Sequence, residues 1–299
     1  MQTETRKPIR PEIILAIIAA FCAALLCVVT VLSLPYFGQE PTDPTHSPAV
    51  GAPDETEPTV PGYNPQPLLP PEQQPPRANP YDRNDFQYIR NYLKLLHGES
   101  MTAIDVSAYQ ENIDWQKVAD SGVEMAMIRV GLRGWGEKGV LKVDDYVHQN
   151  LKGADEAGLT VGVYFFSQAT SIEEVDEEID ILLDVIKDHN ITGHVVYDWE
   201  YVSEEARTAD VDARTLTDCT LHFCKRVGEA GYTPMIYFNT YQGTNLLYLE
   251  ELKAYDFWLA RYTDRMNFPY RVRMWQYTDS GRVPGIKGGV DINVFFPEA

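Results

Sequence analysis

The chain is short of cysteine, histidine and positive charge. Its 299 residues include four cysteines and six histidines, and 44 acidic side chains outweigh 25 basic ones to leave a formal charge of −19. Each shortage removes a class of protein. Four cysteines cannot staple a chain this long into a disulfide framework, and Cys219 and Cys224 stand five apart in an expected helix, where they point to different faces. Cys22 and Cys27 sit in an apolar run, so free thiols are expected throughout. His148, His189, His194 and His222 fit neither H-x-x-x-H nor C-x-x-C spacing, so neither a metal nor any other cofactor is indicated. The acidic balance repels phosphate backbones and argues against a nucleic-acid partner.

Proline is also scarce outside one stretch. Fourteen of the 20 prolines fall between Pro35 and Pro80, leaving six for the other 253 residues. Residues 35–80 therefore form a Pro-rich linker, with five more acidic than basic side chains, that cannot bury apolar area. Before it, Ile13 to Leu34 is a run of 22 uncharged residues, about 33 Å long as a helix and long enough to cross a bilayer. Arg6, Lys7 and Arg10 precede the run, and the next basic residue after it is Arg77. The positive-inside rule then leaves residues 1–12 cytoplasmic, 13–34 as a single-pass signal anchor in the cell membrane, and everything beyond extracellular. The run ends Ser33-Leu34-Pro35-Tyr36, a poor cleavage site, which favours the anchor over the alternative of secretion after signal cleavage.

Residues 81–100 read as a helical extension, because Phe86, Ile89, Tyr92, Leu93 and Leu96 recur at spacings close to a helical period. From 101 to 299, short apolar runs alternate with amphipathic segments. The runs TAIDVS, MAMIRVG, VGVYFF, HVVYDWE, PMIYF, DFWLARY, RMWQY and VDINVFF supply eight strands. Full helices follow the early strands, while the last three strands come close together. This is an α/β pattern that predicts a parallel sheet closed into an irregular, TIM-like (β/α) barrel with about five β/α units and three closing strands. A monomer is expected, with its site at the C-terminal ends of the strands.

Asp198 and Glu200, two apart at the end of HVVYDWE, share a strand face with Cα atoms about 6.6 to 7 Å apart. Two acids forced together in a partly buried place raise one pKa, which keeps a carboxylic acid protonated near neutral pH. Asp105 ends the first strand and Asp291 lies in the last, which neighbours the first in a closed barrel. The four acids then gather at one mouth, among Tyr164, Phe166, Tyr237 and Trp275, rings suited to stacking on sugars, with Gln276 beside them. That combination suggests a groove that hydrolyses glycosides.

These motifs resemble the family 25 glycoside hydrolases, the lysozymes that act as N-acetylmuramidases. The resemblance runs from Met101 to the C-terminus through IDVSAYQENIDW, AGLTVGVYFFSQA, VVYDWE, GYTPMIYFN, FWLARY and MWQYTDSGRVPGIKGGVDINVF, in that order. It places the family's acids on Asp105, Asp198, Glu200 and Asp291. Two positions depart from the family's habit: Glu111 stands where glycine is common, and Phe165 where histidine often occurs. The resemblance implies cleavage of the β-1,4 bond between N-acetylmuramic acid and N-acetylglucosamine in peptidoglycan glycan strands. It makes Glu200 the general acid, has Asp198 stabilise the acetamido group, and has Asp105 and Asp291 place the sugar or tune the pair. A membrane tether then suits remodelling of the producer's own wall. Two alternatives stand beside this reading, a chitinase-like N-acetylhexosaminidase and a catalytically weak glycan-binding module.

Overall fold

The computed structural model describes residues 78–263 and 265–297. The expected cytoplasmic tail, the membrane span and the linker up to residue 77 lie outside them. Among the described residues no helix is long and apolar enough to cross a membrane.

Two short strands come first, β1 (Phe86–Ile89) and β2 (Tyr92–Leu95), paired as an antiparallel hairpin. The barrel begins with β3 (Met101–Val106), helix α1 (Trp115–Asp120) and β4 (Met125–Arg133), whose end carries the antiparallel edge strand β5 (Leu141–Val143). It continues with α2 (Val147–Glu156), β6 (Thr160–Ser167), α3 (Ile172–Ile186), β7 (His194–Trp199) and α4 (Ala213–Glu229). After β8 (Thr233–Asn239) come two short helices, α5 (Thr240–Asn245) and α6 (Leu249–Leu252). Strands β9 (Asp256–Ala260), β10 (Met274–Gly281) and β11 (Val290–Phe295) then follow with no helix between them. Pairing of β3 with both β4 and β11 closes an eight-stranded ring that contains each of the eight expected strands.

The ring is not wholly parallel. β11 runs antiparallel to both β10 and β3, whereas the other neighbours in the ring are parallel. Residues 282–289, the link from β10 to β11, are too few for a crossover and can join only antiparallel neighbours. This corrects the all-parallel expectation and has a consequence for the site, because it brings the beginning of β11, rather than its end, to the barrel mouth.

Strand alternation sorts the core into two layers. Inward positions form a small cluster that includes Met125, Met127, Tyr164, Val196, Met235, Tyr237, Trp258 and Met274. Outward positions such as Ile128, Phe165, Tyr197 and Phe238 join the larger layer beneath the helices. Helix α3 shows how a helix is fixed onto that layer. Ser171 caps its first turn by accepting from the Glu174 amide, and Val175, Ile179, Leu182 and Ile186 recur at helical spacing to bury one face. Ile179 is fully buried, so Ile179→Ala costs about 2 to 5 kcal/mol.

The helical extension expected over 81–100 is a hairpin instead. Arg90 and Asn91 take φ of 51° and 77°, the pair of left-handed turn residues that matches strand twist in a two-residue hairpin loop. Ile89 and Leu96, two of the five residues of the supposed helical face, are exposed, while Tyr92, Leu93 and Leu95 are buried. The physical reason is tertiary. Among the described residues no helix intervenes between β9 and β11, and the hairpin segment packs on their outward aromatic rings instead. Phe86 meets Trp275 edge-on at 5.2 Å between ring centroids, Tyr81 stacks on Phe296 at 4.7 Å, and the Leu93 amide donates to the Tyr277 hydroxyl at 3.2 Å.

Candidate active site

Asp105, next to last in β3, and Asp291, second in β11, are direct register partners. Like charges placed opposite one another repel, and side-chain amides surround this pair. The Gln276 side-chain amide donates to both oxygens of Asp105, at 3.1 and 3.0 Å, and reaches Asp291 Oδ2 at 3.4 Å. Asn293 Nδ2 donates to Asp105 Oδ2 at 2.8 Å. Each amide is itself held. Gln276 Oε1 accepts from the Tyr237 and Tyr262 hydroxyls at 3.1 and 3.0 Å, and Asn293 Oδ1 accepts from the Trp258 indole at 2.8 Å. Burial and the neighbouring Asp105 charge push the Asp291 carboxyl well above the usual range.

Asp198 faces inward on β7, and Glu200 stands one residue past that strand with part of its surface open to solvent. Their carboxyl groups interact, which pushes Asp198 upward and opposes the rise of Glu200. Burial, reinforced by the Asp105 charge, raises Glu200 to about 8, against the opposing effect of the bond from Asp198. Asp198 is also pushed upward, by burial and then by Glu200 and Asp105, while Arg129 acts in the opposite direction. Arg129 follows Met125 and Met127 on the inward face of β4 and forms a buried ion pair with Asp144, Nη2 to Oδ2 at 2.8 Å. Asp144 is fixed in turn by the backbone amides of Ala108 and Tyr146, both at 2.9 Å. Asp198 Oδ1 and Asp291 Oδ1 are buried with no hydrogen-bond partner. Buried carboxylate oxygens without a protein partner, beside a partly open acid, are costly for structure alone and make this mouth the candidate site. Among the described residues, no group of three or more histidine, cysteine, aspartate or glutamate side chains is arranged to hold a metal ion.

Residues 104–286 match the family described as Glycosyl hydrolases family 25. The chain belongs to that family. It is a glycoside hydrolase of lysozyme type. Among curated relatives, YegX of Escherichia coli K12, a protein without assigned function, is 32% identical over 201 residues, covering 64% of this chain and 68% of YegX. Lysozyme M1 of Streptomyces globisporus is 26% identical over 219 residues, covering 64% of this chain and 66% of that protein. The modular autolysin LytC of Streptococcus pneumoniae has the same fold, with a TM-score of 0.60 and 25% identity over 71% of this chain and 52% of LytC. LytC has also been solved with a synthetic peptidoglycan ligand. The chain thus spans about half the length of that solved autolysin.

Within this family 25 barrel, the four acids expected from the motifs all come to one mouth, and Gln276 joins them as a bridge. The expected ring platforms divide. Tyr164 and Tyr237 lie inside the barrel as a buried floor, each edge-on to Trp258, at 6.2 and 4.9 Å. Phe166 is the register partner of Asp198 and is wholly buried. Trp275 is not in the groove. It lies on the opposite strand face from Gln276, packs beneath the hairpin and donates its indole hydrogen to the Arg261 carbonyl at 2.8 Å. Phe165 likewise faces the outer layer. Glu111, which replaces a common glycine of the family, takes φ of 50°, a conformation that explains the glycine.

Open aromatic surface comes from tyrosines outside the expected ring platforms, although Tyr109 and Tyr262 lie within the matched segments. Tyr109, Tyr201, Tyr241 and Tyr262, between 37% and 43% exposed, each follow the C-terminal end of a barrel strand. Their position just past the ends of β3, β7, β8 and β9 was the available signal, since loops at that end carry the sites of barrels. Arg129 was also legible, as a cation alternating with two methionines in an otherwise apolar strand.

Proposed function

We propose that this domain is a peptidoglycan muramidase cleaving the β-1,4 bond between N-acetylmuramic acid and N-acetylglucosamine. The observation that carries the reading is the placement of Asp198 and Glu200 at the end of β7, at the same barrel mouth as the paired Asp105 and Asp291, where burial lifts Glu200 to about 8 and favours its protonated form at neutral pH. Glu200 gives that proton to the glycosidic oxygen as the C1–O bond breaks. The substrate's acetamido oxygen attacks C1, and Asp198, oriented by the fold and with Arg129 offsetting part of the upward push of burial, stabilises as a carboxylate the positive charge that develops on the acetamido group. Water then opens the cyclic intermediate while Glu200 takes its proton back. The amide-held Asp105 and Asp291 position the sugar, and the rim tyrosines offer faces for stacking. The names of the relatives, a lysozyme and an autolysin solved with a peptidoglycan ligand, support this substrate class.

The uncharged run 13–34 and the linker 35–80 support a further part of the proposal, that the domain is tethered outside the cell membrane and remodels the producer's own wall. Digestion of purified wall, followed by analysis of the new ends, tests the chemistry. New reducing muramic acid ends, first formed in the retained β configuration, are expected. New free amines, reducing glucosamine ends, or full activity in Glu200→Gln would overturn it.

A further inference from the structure

Sheet hydrogen bonding stops just short of the proposed acid. β7 ends at Trp199, whose register partner on β6 is Ser167, and the last pair with β8 is Asp198 with Tyr237. The carbonyls of Trp199 and Glu200 therefore lie beyond the ladder, where backbone groups need other partners. Two buried glutamine side chains replace the missing ladder, one from each side. Gln168, just past β6, donates Nε2 to the Glu200 carbonyl at 2.6 Å. Gln242, in the helix after β8, donates Nε2 to the Trp199 carbonyl at 2.6 Å. Both are almost fully buried, at 0% and 1% exposure.

Each glutamine is oriented by further bonds that leave its amide little freedom. Thr208 donates its hydroxyl to Gln168 Oε1 at 3.0 Å, and Arg207 donates to the Gln168 carbonyl at 2.6 Å. Gln242 Oε1 accepts from the Asn239 amide at 3.0 Å while Asn239 Oδ1 accepts from the Gln242 amide at 2.9 Å. Accounting for buried carbonyls would explain one such amide. Two convergent amides on consecutive peptides, each backed by its own fixed partner, do more than satisfy carbonyls, because they fix the peptide from which the Glu200 side chain departs.

We infer that Gln168 and Gln242 are positioning residues that clamp the main chain at Trp199 and Glu200, and thereby set where the Glu200 carboxyl meets the glycosidic oxygen. The inference rests on the reading of Glu200 as the general acid. A displacement of about 1 Å in a reacting group can cost on the order of 100-fold in rate. Thr208 belongs to the same device because its hydroxyl fixes which end of the Gln168 amide points at the acid.

Gln168→Met and Gln242→Met keep the length of the side chain and remove its donor. In the full chain acting on soluble glycan fragments, each is expected to lower kcat by about 10- to 100-fold with KM changed less than about twofold. Each should also move the alkaline limb of the kcat/KM profile below about 8, since a loosened Glu200 escapes the burial that raises it. Thr208→Val should show a smaller form of both effects and Thr208→Ser neither, which keeps the test decisive if a methionine variant does not fold. Unchanged kcat and an unmoved alkaline limb in folded Gln168→Met, or equal loss in Thr208→Val and Thr208→Ser, would overturn the clamp. Glu200→Gln separates the two ideas. If it is inactive while Gln168→Met and Gln242→Met behave as wild type, the clamp alone fails. If it is active, the assignment of the acid fails.

Discussion

The two acid pairs at the mouth are held in opposite ways. Asp105 and Asp291 face each other across two strands and are laced by the side-chain amides of Gln276 and Asn293. Asp198 and Glu200 stand at one strand end, where burial pushes both carboxyls upward and no side-chain amide laces them together. The amide NH2 groups hold Asp105 as an acceptor, while Asp291 beside it keeps its own proton to higher pH. The second pair, without such lacing, is the one to which the proposed mechanism gives the proton exchange. Proximity of acids therefore does not by itself define the chemistry; the surrounding donors divide the cluster into a fixed half and a reactive half.

Breaking the reactive half should have the largest effect. Glu200→Gln and Asp198→Asn are each expected to lower wall hydrolysis by about 10² to 10⁴. An activated aryl N-acetylglycoside needs little protonation, so it should partly restore Glu200→Gln and leave Asp198→Asn impaired; the reverse pattern would exchange their roles. The wild-type kcat/KM should fall as pH rises through about 8, where Glu200 loses its proton.

Arg129→Met sharpens the contrast within the same half. Removal of the cation lets Asp198 rise further, so the acidic limb of the pH profile should move to higher pH and the active window should narrow. Asp144 would also lose its buried partner, at a cost of about 3 to 5 kcal/mol in stability. Combining the change with Asp144→Asn should recover most of that stability, as read by denaturant unfolding, without restoring the pH profile.

The fixed half should respond in stability more than in rate. Asp291 has a folded pKa above its unfolded one, so the folded state binds the extra proton and wild-type stability falls as pH rises from the ordinary carboxylate range toward that raised value. The Asp291→Asn variant has no proton to lose there, and its Tm relative to wild type should therefore increase with pH. Glu111→Gly gives the smallest expected change. Relief of the positive φ should add about 1 kcal/mol to stability with wall hydrolysis unaltered.

Much of this arrangement could be read in the sequence because period and position carry it. Eight apolar runs became the eight strands, and the inward phase of each placed Asp105, Asp198 and Asp291 on the barrel's inner side. Strand direction was hidden, because an alternation of two reads the same from either end; β11 needed the length of its connection to fix its sense. The hairpin at 86–95 was hidden for a related reason. Its apolar residues fit a helical spacing by coincidence, and the Arg90-Asn91 turn is a weaker signal than Asn-Gly. The misplacement of Trp275 was avoidable, since adjacent residues on a strand face opposite ways and Gln276 was already assigned to the groove.

The reversed β11 also makes the site a late product of synthesis. Asn293 reaches Asp105 across 188 residues of chain, and Asp291 enters the mouth on the same strand. A nascent chain that has not yet released residues 290–295 has neither a closed ring nor the Asn293 amide that helps to hold Asp105, whatever else has folded. A wall-cutting activity assembled in this order is withheld from incomplete or prematurely terminated copies. Truncation before Val290 should accordingly yield a protein with Asp198 and Glu200 intact in sequence but no functioning mouth around them.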